Sequence, residues 1–305
     1  MKFPLATRAS RLAMWQAETT QTILRAKFDD LDVDLLPVES SGDQRLDIEL
    51  AKFGRIGIFT VEVDRILLAK RASASVHSLK DMITDLEPGI VLAGTLQRGP
   101  TEDVIISTNG ERLEDLAPGA SVATGSRRRA AMLLAVRPDL KVVGIRGNVE
   151  TRLRKLDEGE ADALIMARAG IERLELGARI TEVIDTERFL PAVGQGIVGI
   201  VCREEDTESQ ARIRAITCMD SWHSALAERS LLSALRGGCN VPVGGHAQVS
   251  GDDLTLRARV LSLDGVTKVE GTRTGPREDA VKIGSELAQE LIDQGAAKLI
   301  EAARE

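Results

Sequence analysis

The sequence predicts an α/β protein built on doubly wound parallel sheets, with a smaller α+β region towards its C-terminal end. Three observations carry that expectation. Short apolar runs alternate with helix-period segments from residue 3 to about residue 175, the pattern of strand–helix–strand units. Beyond residue 217 the pattern changes to a helix followed by three strand-like runs, separated by Gly251-Asp252-Asp253 and Asp264-Gly265, which are antiparallel hairpin signals. Finally, 305 residues exceed one ordinary domain and suit two or three.

The elements follow in order. Residues 3–7 are strand-like. Ser10 to Phe28 reads as a helix, because Leu12, Trp15, Thr19 and Ile23 recur at three-to-four spacing. Val33–Val38 is a strand and Glu62–Lys70 a helix; Ala74–Val76, Ile90–Leu92 and Val104–Ile106 are further strands. A second series runs strand 121–124, helix 127–136, strand 141–145, helix 148–158, strand 162–166 and helix 168–175. The last region reads as helix 222–236 ended by Gly237-Gly238, strands 243–250, 254–262 and 266–273, then helices over 278–294 and 296–304. Breaks fall at Arg98-Gly99-Pro100, at 191–196 and near residue 217.

Composition narrows the function. With 40 Lys and Arg against 47 Asp and Glu the formal charge is −7, which argues against general binding to duplex phosphates. Two Trp, five Phe and no Tyr leave no stacking platform for single-stranded nucleic acid. No apolar run is long enough to cross a membrane, and the opening MKFPLATRAS lacks the apolar stretch of a secretory signal. Cys202, Cys218 and Cys239 form neither a disulfide framework nor a zinc pattern, which fits a reducing cytoplasm. His77, His223 and His246 are scattered and support no metal site. The charge is uneven, however. Residues 121–156 hold seven Arg and two Lys against Asp139 and Glu150, a net +7, so the remainder sums to −14. Arg outnumbers Lys 30 to 10, and only Arg offers a planar fork to carboxylates and phosphates. A positive block in an acidic protein points to a local anion site.

Four segments carry candidate chemistry. Thr124-Gly125-Ser126-Arg127-Arg128-Arg129 leaves a strand and opens a helix, with Ser126 as N-cap. Three Arg there oppose the macrodipole, and a bound anion would relieve the conflict; a solvated basic turn is the other reading. Arg146-Gly147-Asn148 with Thr151-Arg152 repeats the arrangement in the next unit, where an exposed basic helix face is the alternative. Ligands of open α/β sheets sit at the carboxyl ends of strands, so the two turns reinforce each other. Val76-His77-Ser78-Leu79-Lys80-Asp81 leaves another strand end with a Lys-Asp pair, which is commonly trivial. Cys239 follows a Gly pair in a tight loop, where a thiol is either reactive or simply packed.

Taken together the segments resemble the porphobilinogen deaminase (hydroxymethylbilane synthase) family. The resemblance runs nearly end to end. It rests on Thr7-Arg8 with Leu12-Ala13-Met14-Trp15-Gln16-Ala17, on Val76–Asp81, on Arg128-Arg129, and on Arg146-Gly147-Asn148-Val149 with Thr151-Arg152-Leu153. It continues through Leu190–Gly196, Ala227-Glu228-Arg229, Gly237-Gly238-Cys239 and Val241-Pro242. The resemblance implies a transferase of tetrapyrrole (haem) biosynthesis that condenses four porphobilinogen molecules head to tail, with loss of ammonia, into linear hydroxymethylbilane. The polypyrrole intermediates grow on a dipyrromethane cofactor, which the resemblance places in thioether linkage to Cys239. It implies that Asp81 is the catalytic carboxylate, stabilising the cationic azafulvene formed as ammonia leaves. Arg8, Ser78, Lys80, Thr124, Ser126, Arg128, Arg129, Arg146, Gly147, Arg152 and Arg173 would bind cofactor and substrate carboxylates, with Gln16 and Gln195 as further candidates. It also implies two similar domains of the type II periplasmic-binding-protein kind, 1–98 with 194–216 and 99–193, joined by crossing segments near 97–101 and 191–196. A third α+β domain, 217–305, would present Cys239. A monomeric cytoplasmic enzyme without metal, membrane or nucleic-acid partner is expected.

Several positions depart from the family pattern. Gly54-Arg55-Ile56-Gly57-Ile58-Phe59 stands where a Gly-Gly-Lys-Gly run precedes Leu-Phe. Thr101-Glu102-Asp103 reverses a charge near the expected hinge, Ala123-Thr124-Gly125-Ser126-Arg127 exchanges a hydroxyl for a charge, and Arg168 adds another. The competing readings are a non-catalytic two-lobed anion-binding protein, which needs neither Asp81 nor Cys239, and a nucleic-acid binder using 121–156.

Overall fold

The computed structural model describes residues 1–38, 60–236 and 241–304. Cys239 and the 54–59 run lie outside the described residues. The strands are Leu5–Arg8 (β1), Leu35–Val38 (β2), Ala74–Ser78 (β3), Ile90–Thr95 (β4), Asp103–Ser107 (β5), Ser121–Ala123 (β6), Lys141–Val143 (β7), Ala163–Ala167 (β8), Glu182–Val183 (β9), Val198–Arg203 (β10), Val243–Ser250 (β11), Asp253–Leu261 (β12) and Lys268–Pro276 (β13). The helices are Arg11–Lys27 (α1), Val61–Leu68 (α2), Arg127–Val136 (α3), Val149–Asp157 (α4), Arg168–Arg173 (α5), Thr207–Ala215 (α6), Met219–Ala234 (α7), Ala280–Asp293 (α8) and Ala296–Ala302 (α9). None of the described helices is long and apolar enough to cross a membrane.

The chain divides into two compact units, Met1–Arg98 with Ile197–Trp222, and Gly99–Gly196 with His223–Glu305. The first holds a five-stranded sheet in the order β2-β1-β3-β10-β4. Its β1 runs parallel to β2 and β3, while β10 runs antiparallel to β3 and β4. Phe3, Leu5, Leu24, Val76, Val198 and Ile200 share its core.

The second unit holds a five-stranded sheet in the order β7-β6-β8-β5-β9, and a separate antiparallel sheet β11-β12-β13. β6 runs parallel to β7 and β8, and β5 antiparallel to β8 and β9. Strand β5 is buried on both faces, with Ile105 packed beside Leu133 and Phe189, and Val104 and Ile106 beside Leu153 and Leu164. A strand covered by helices on both sides reads as a continuous apolar run, as 103–107 does. The small sheet alternates instead: Leu254, Leu256, Ala258 and Val260 turn inward, against Ile283, Leu287 and Leu291 of α8.

The α/β class is therefore as the alternation predicts, but the expectation of purely parallel sheets is corrected: both five-stranded sheets are mixed. The antiparallel members, β5 and β10, are the first strands after each passage of the chain between the units. A strand that enters without a crossover helix is free of the parallel βαβ constraint. The sequence reading also missed β10 and α6.

At the second passage Gly196 has φ +85° and its carbonyl accepts a hydrogen bond from Gly99 N at 3.0 Å. A Cβ there would lie 2.6 Å from Gly99 O and 2.9 Å from Pro100 O. Both backbone conformation and space demand glycine. Gly196→Ala should cost about 2–4 kcal/mol, the sum of a left-handed L-residue and an overpacked contact, measured as a lowered urea midpoint.

Candidate active site

In the first unit the site residues gather where parallel strands end. Arg8 closes β1 and Ser78 closes β3; a single 3-10 turn, Leu79–Asp81, then carries Lys80 and Asp81. Arg8, Ser10, Gln16, Thr60, Ser78 and Asp81 line one pocket of about 60 Å³. Gln16 is buried on α1 and donates from Nε2 to Ser78 Oγ at 2.7 Å, fixing that hydroxyl. Asp81 is exposed and Lys80 half-buried. His77 also borders this pocket, but its ring is engaged in a buried network: Nε2 lies 3.0 Å from Asp64 Oδ1 and 3.1 Å from Ser75 Oγ. It is a structural histidine.

In the second unit β6, β7 and β8 are parallel in the sense needed to bring Thr124, Arg146 and Arg168 to one sheet edge. Ser126 caps α3, accepting from Arg129 N, and Thr124 Oγ1 accepts from Ser126 N at 3.2 Å. Asn148 caps α4 through Thr151 N at 2.8 Å. Gly147 has φ +117°, and a Cβ there would meet Thr151 Cγ2 at 2.5 Å, so glycine is required at the turn. Its carbonyl accepts from Arg152 Nε at 2.8 Å, which holds that half-buried side chain against the turn. Arg146 is exposed. Arg173, at the end of α5, donates to Gly196 O at 2.6 Å, and burial pulls its pKa down to about 10.

Arg128 and Arg129 do not form a solvated basic turn. They are 3% and 6% exposed, and both grip Asp103, which is fully buried at the start of β5. Arg128 Nη2 donates to Asp103 Oδ2 at 2.7 Å; Arg129 donates to Asp103 Oδ1 from Nε at 3.0 Å and from Nη2 at 2.8 Å. Arg128 Nη1 also donates to Leu190 O at 2.7 Å, and its Nε is buried without a hydrogen-bond partner. Gln195, fully buried, donates from Nε2 to Thr101 O at 2.7 Å and to Asp103 Oδ1 at 2.9 Å. Burial alone would push the Asp103 carboxyl up, but the charges of Arg128 and Arg129 and the hydrogen bonds from Arg129 and Gln195 outweigh it. The group is held well below the usual carboxylate range.

Asp103 is the functional candidate that sequence reasoning passed over. The available signal was an acidic residue opening an otherwise apolar, doubly buried strand, a position where a charge survives only with partners. The structure also joins two of the departures. Arg168 Nη1 lies 3.2 Å from Glu102 Oε1 and its Nε 2.7 Å from Glu172 Oε1, so the added cation answers the reversed charge. Arg127 donates from Nη1 to Ala303 O near the end of α9.

Both α/β units thus carry arginines and hydroxyls at the ends of parallel strands, with the exposed carboxylate of Asp81 in the first. Comparison with known proteins makes this specific. A family model described as porphobilinogen deaminase, dipyromethane cofactor binding domain, matches residues 3–211, and one described as porphobilinogen deaminase, C-terminal domain, matches residues 222–293. The porphobilinogen deaminase of Chlorobaculum tepidum is 42% identical over 97% of this chain and 96% of its own. That of Chlorobium chlorochromatii is 43% identical over 96% and 95%. Among solved structures, the methionine binding protein MetQ aligns with 75% of this chain and 94% of its own, at 16% identity and a TM-score of 0.47. The chain belongs to the porphobilinogen deaminase family.

The lowered pKa of Asp103 has a consequence for acid stability. A carboxylate depressed in the fold stabilises it above its unfolded pKa, near 3.8, and that contribution fades as pH falls towards the folded value. Wild-type urea midpoints should therefore drop steeply below about pH 4, while Asp103→Asn, already weakened by about 3–5 kcal/mol at neutral pH, should show a flatter acid limb. Equal slopes in the two proteins would show that Asp103 is not the titrating group.

Proposed function

We propose that this chain carries out its family's reaction through the residues at these strand ends. That reaction condenses four porphobilinogen molecules head to tail, with loss of ammonia at each step, into the linear tetrapyrrole hydroxymethylbilane. The observation that carries the reading is family membership over nearly the whole chain, combined with an Arg8–Ser78–Asp81 pocket in the first unit. A non-catalytic anion-binding protein is not favoured, since the relatives matched end to end are named as deaminases.

The residues of the second unit fit a dipyrromethane, whose rings bear acetate and propionate groups: two buried guanidiniums face one carboxylate, and a buried Arg128 Nε awaits an acceptor. When bound, the cofactor would supply the free pyrrole carbon to which the first unit is joined, each later unit adding to the free end of the growing chain. Cys239 is the proposed thioether anchor. Arg128 and Arg129, with Thr124, Ser126, Arg146, Arg152, Arg173 and the Gly147 turn, are proposed to receive ring carboxylates; Arg8, Ser78 and Lys80 do the same for incoming substrate. Gln16 acts by orienting Ser78, and Gln195 through Asp103. Asp81 is proposed as the catalytic residue. An exposed, positioned carboxylate is worth most when a pyrrole becomes cationic as ammonia departs, so it lowers the barrier more than it tightens binding.

The reading extends to a monomeric cytoplasmic enzyme without nucleic-acid partners, supported by the unpaired Cys202 and Cys218 and by the acidic, aromatic-poor composition. It also extends to three domains, supported by the separate sheet and core of the C-terminal region.

Asp81→Asn should slow single-turnover ammonia release by about a hundredfold or more, as loss of one preorganised electrostatic group does, with Asp81→Glu retaining more activity. Near-normal release from cofactor-loaded Asp81→Asn would place the catalytic group elsewhere. Separately, intact mass should show two pyrrole units on wild type, Cys202→Ser and Cys218→Ser but none on Cys239→Ser; an adduct that survives Cys239→Ser moves the anchor.

A further inference from the structure

The buried cluster in the second unit has an unbalanced charge. Arg128, Arg129 and Asp103 have side chains 4%, 8% and 0% exposed, so two cations and one anion share a dry interior. Among the described residues, the charges that act on Arg128 are those of Asp103 and Arg129. One positive charge is left over. An uncompensated buried charge is expensive, and a buried donor without an acceptor adds to the cost. Both point at the same guanidinium: Arg128 Nη2 is taken by Asp103 and Nη1 by Leu190 O, while Nε has no partner.

We infer that Asp103 is the positioning residue of this site: its two oxygens aim Arg128 and Arg129 and cancel one of their charges, leaving a seat for a single carboxylate of the cofactor at Arg128. Asp103 does not touch the ligand. It divides its oxygens, Oδ2 to Arg128 and Oδ1 to Arg129, so that each guanidinium is held along a different edge. Gln195 fixes the carboxylate in turn, donating to Oδ1 while anchored on Thr101 O. The chain thus supplies one anion of its own and leaves the second to the ligand. With two internal acids the site would be neutral and indifferent to a carboxylate; with none, the empty protein would bury two like charges side by side.

The inference rests on the reading that cofactor acid groups bind at the α3 N-terminus, and the test separates the two. Full-length protein made without a porphobilinogen supply is loaded with preassembled hydroxymethylbilane. Loading is followed by intact mass, and the thermal midpoint is recorded before and after. Charge balance orders the rise in midpoint on loading: Asp103→Asn above wild type, and wild type above Arg128→Met. A merely structural Asp103 would lower both midpoints equally and leave the rise at its wild-type size, which would overturn the inference. Should Asp103→Asn fail to fold, Asp103→Glu decides. It keeps the charge and displaces the guanidiniums, so loading should slow by at least about tenfold, a loss that a control core variant with an equally lowered unloaded midpoint does not share. Wild-type loading by Asp103→Glu would overturn the positioning role. If instead Arg128→Met loads with the wild-type rise in midpoint, the cofactor's acid groups bind elsewhere and the underlying reading of the site fails.

Discussion

Two guanidiniums can be buried side by side only if a carboxylate stands between them, and in this protein that carboxylate is Asp103. The constraint reaches well beyond three side chains. Asp103 opens β5, directly after the segment by which the chain enters its second unit. Gln195, in the segment by which the chain leaves, ties Thr101 O and Asp103 together. Arg128 adds Leu190 O, and Arg129 reaches Ile165 O on β8. One cluster therefore fixes the entry segment, the exit segment, the start of α3 and the centre of the sheet. A loss of charge there disturbs the frame of the second unit, because the same carboxylate holds every side chain that makes these contacts.

The second organising feature is the parallel strand end. A strand that runs into a helix presents free backbone donors and short polar side chains at one sheet edge. Thr124-Ser126 and Gly147-Asn148 are two such turns in neighbouring units, with Ser126 and Asn148 as caps. Arginine in the first turn of α3 is locally unfavourable, because the dipole there is already positive. Burial on Asp103 explains how Arg128 and Arg129 are tolerated. The same logic of internal pairing accounts for Arg168, whose partners Glu102 and Glu172 make a departure from the family pattern locally neutral.

Much of this was legible in the sequence where the signal is local. Helix 127–136 and strand 243–250 appear with the bounds read from sequence, because an N-cap serine and a hairpin turn punctuate them. The resemblance likewise located the Arg8–Asp81 group and the arginine turns. What was not legible depends on contacts far apart in sequence. Val198–Arg203 follows a glycine-rich stretch with no helix to announce it, and its antiparallel pairing with β3 spans more than a hundred residues. Arg128 and Arg129 look like surface charges by type, and only the approach of Asp103 from β5 makes them interior. Gln195 is a cleft candidate by the resemblance alone, and its amide donates to Thr101 O and Asp103 Oδ1, partners that sequence distance hides.

The choice of arginine at 128 follows from the geometry of that interior. Arg128 must meet three demands at once: a carboxylate oxygen at Nη2, a backbone carbonyl at Nη1, and a donor left pointing elsewhere at Nε. A guanidinium does this because its donors are fixed in a plane and diverge in known directions. An ammonium at the same place would be a point charge that rotates to satisfy its nearest acceptors, and Asp103 would absorb it, leaving no directed donor behind. Lysine also gives up its proton more readily when desolvated, whereas a guanidinium keeps its charge in a buried site. Two arginines held by one internal acid therefore keep a fixed geometry that lysines at the same places would lose, and the single carboxylate at 103 balances one of their two charges.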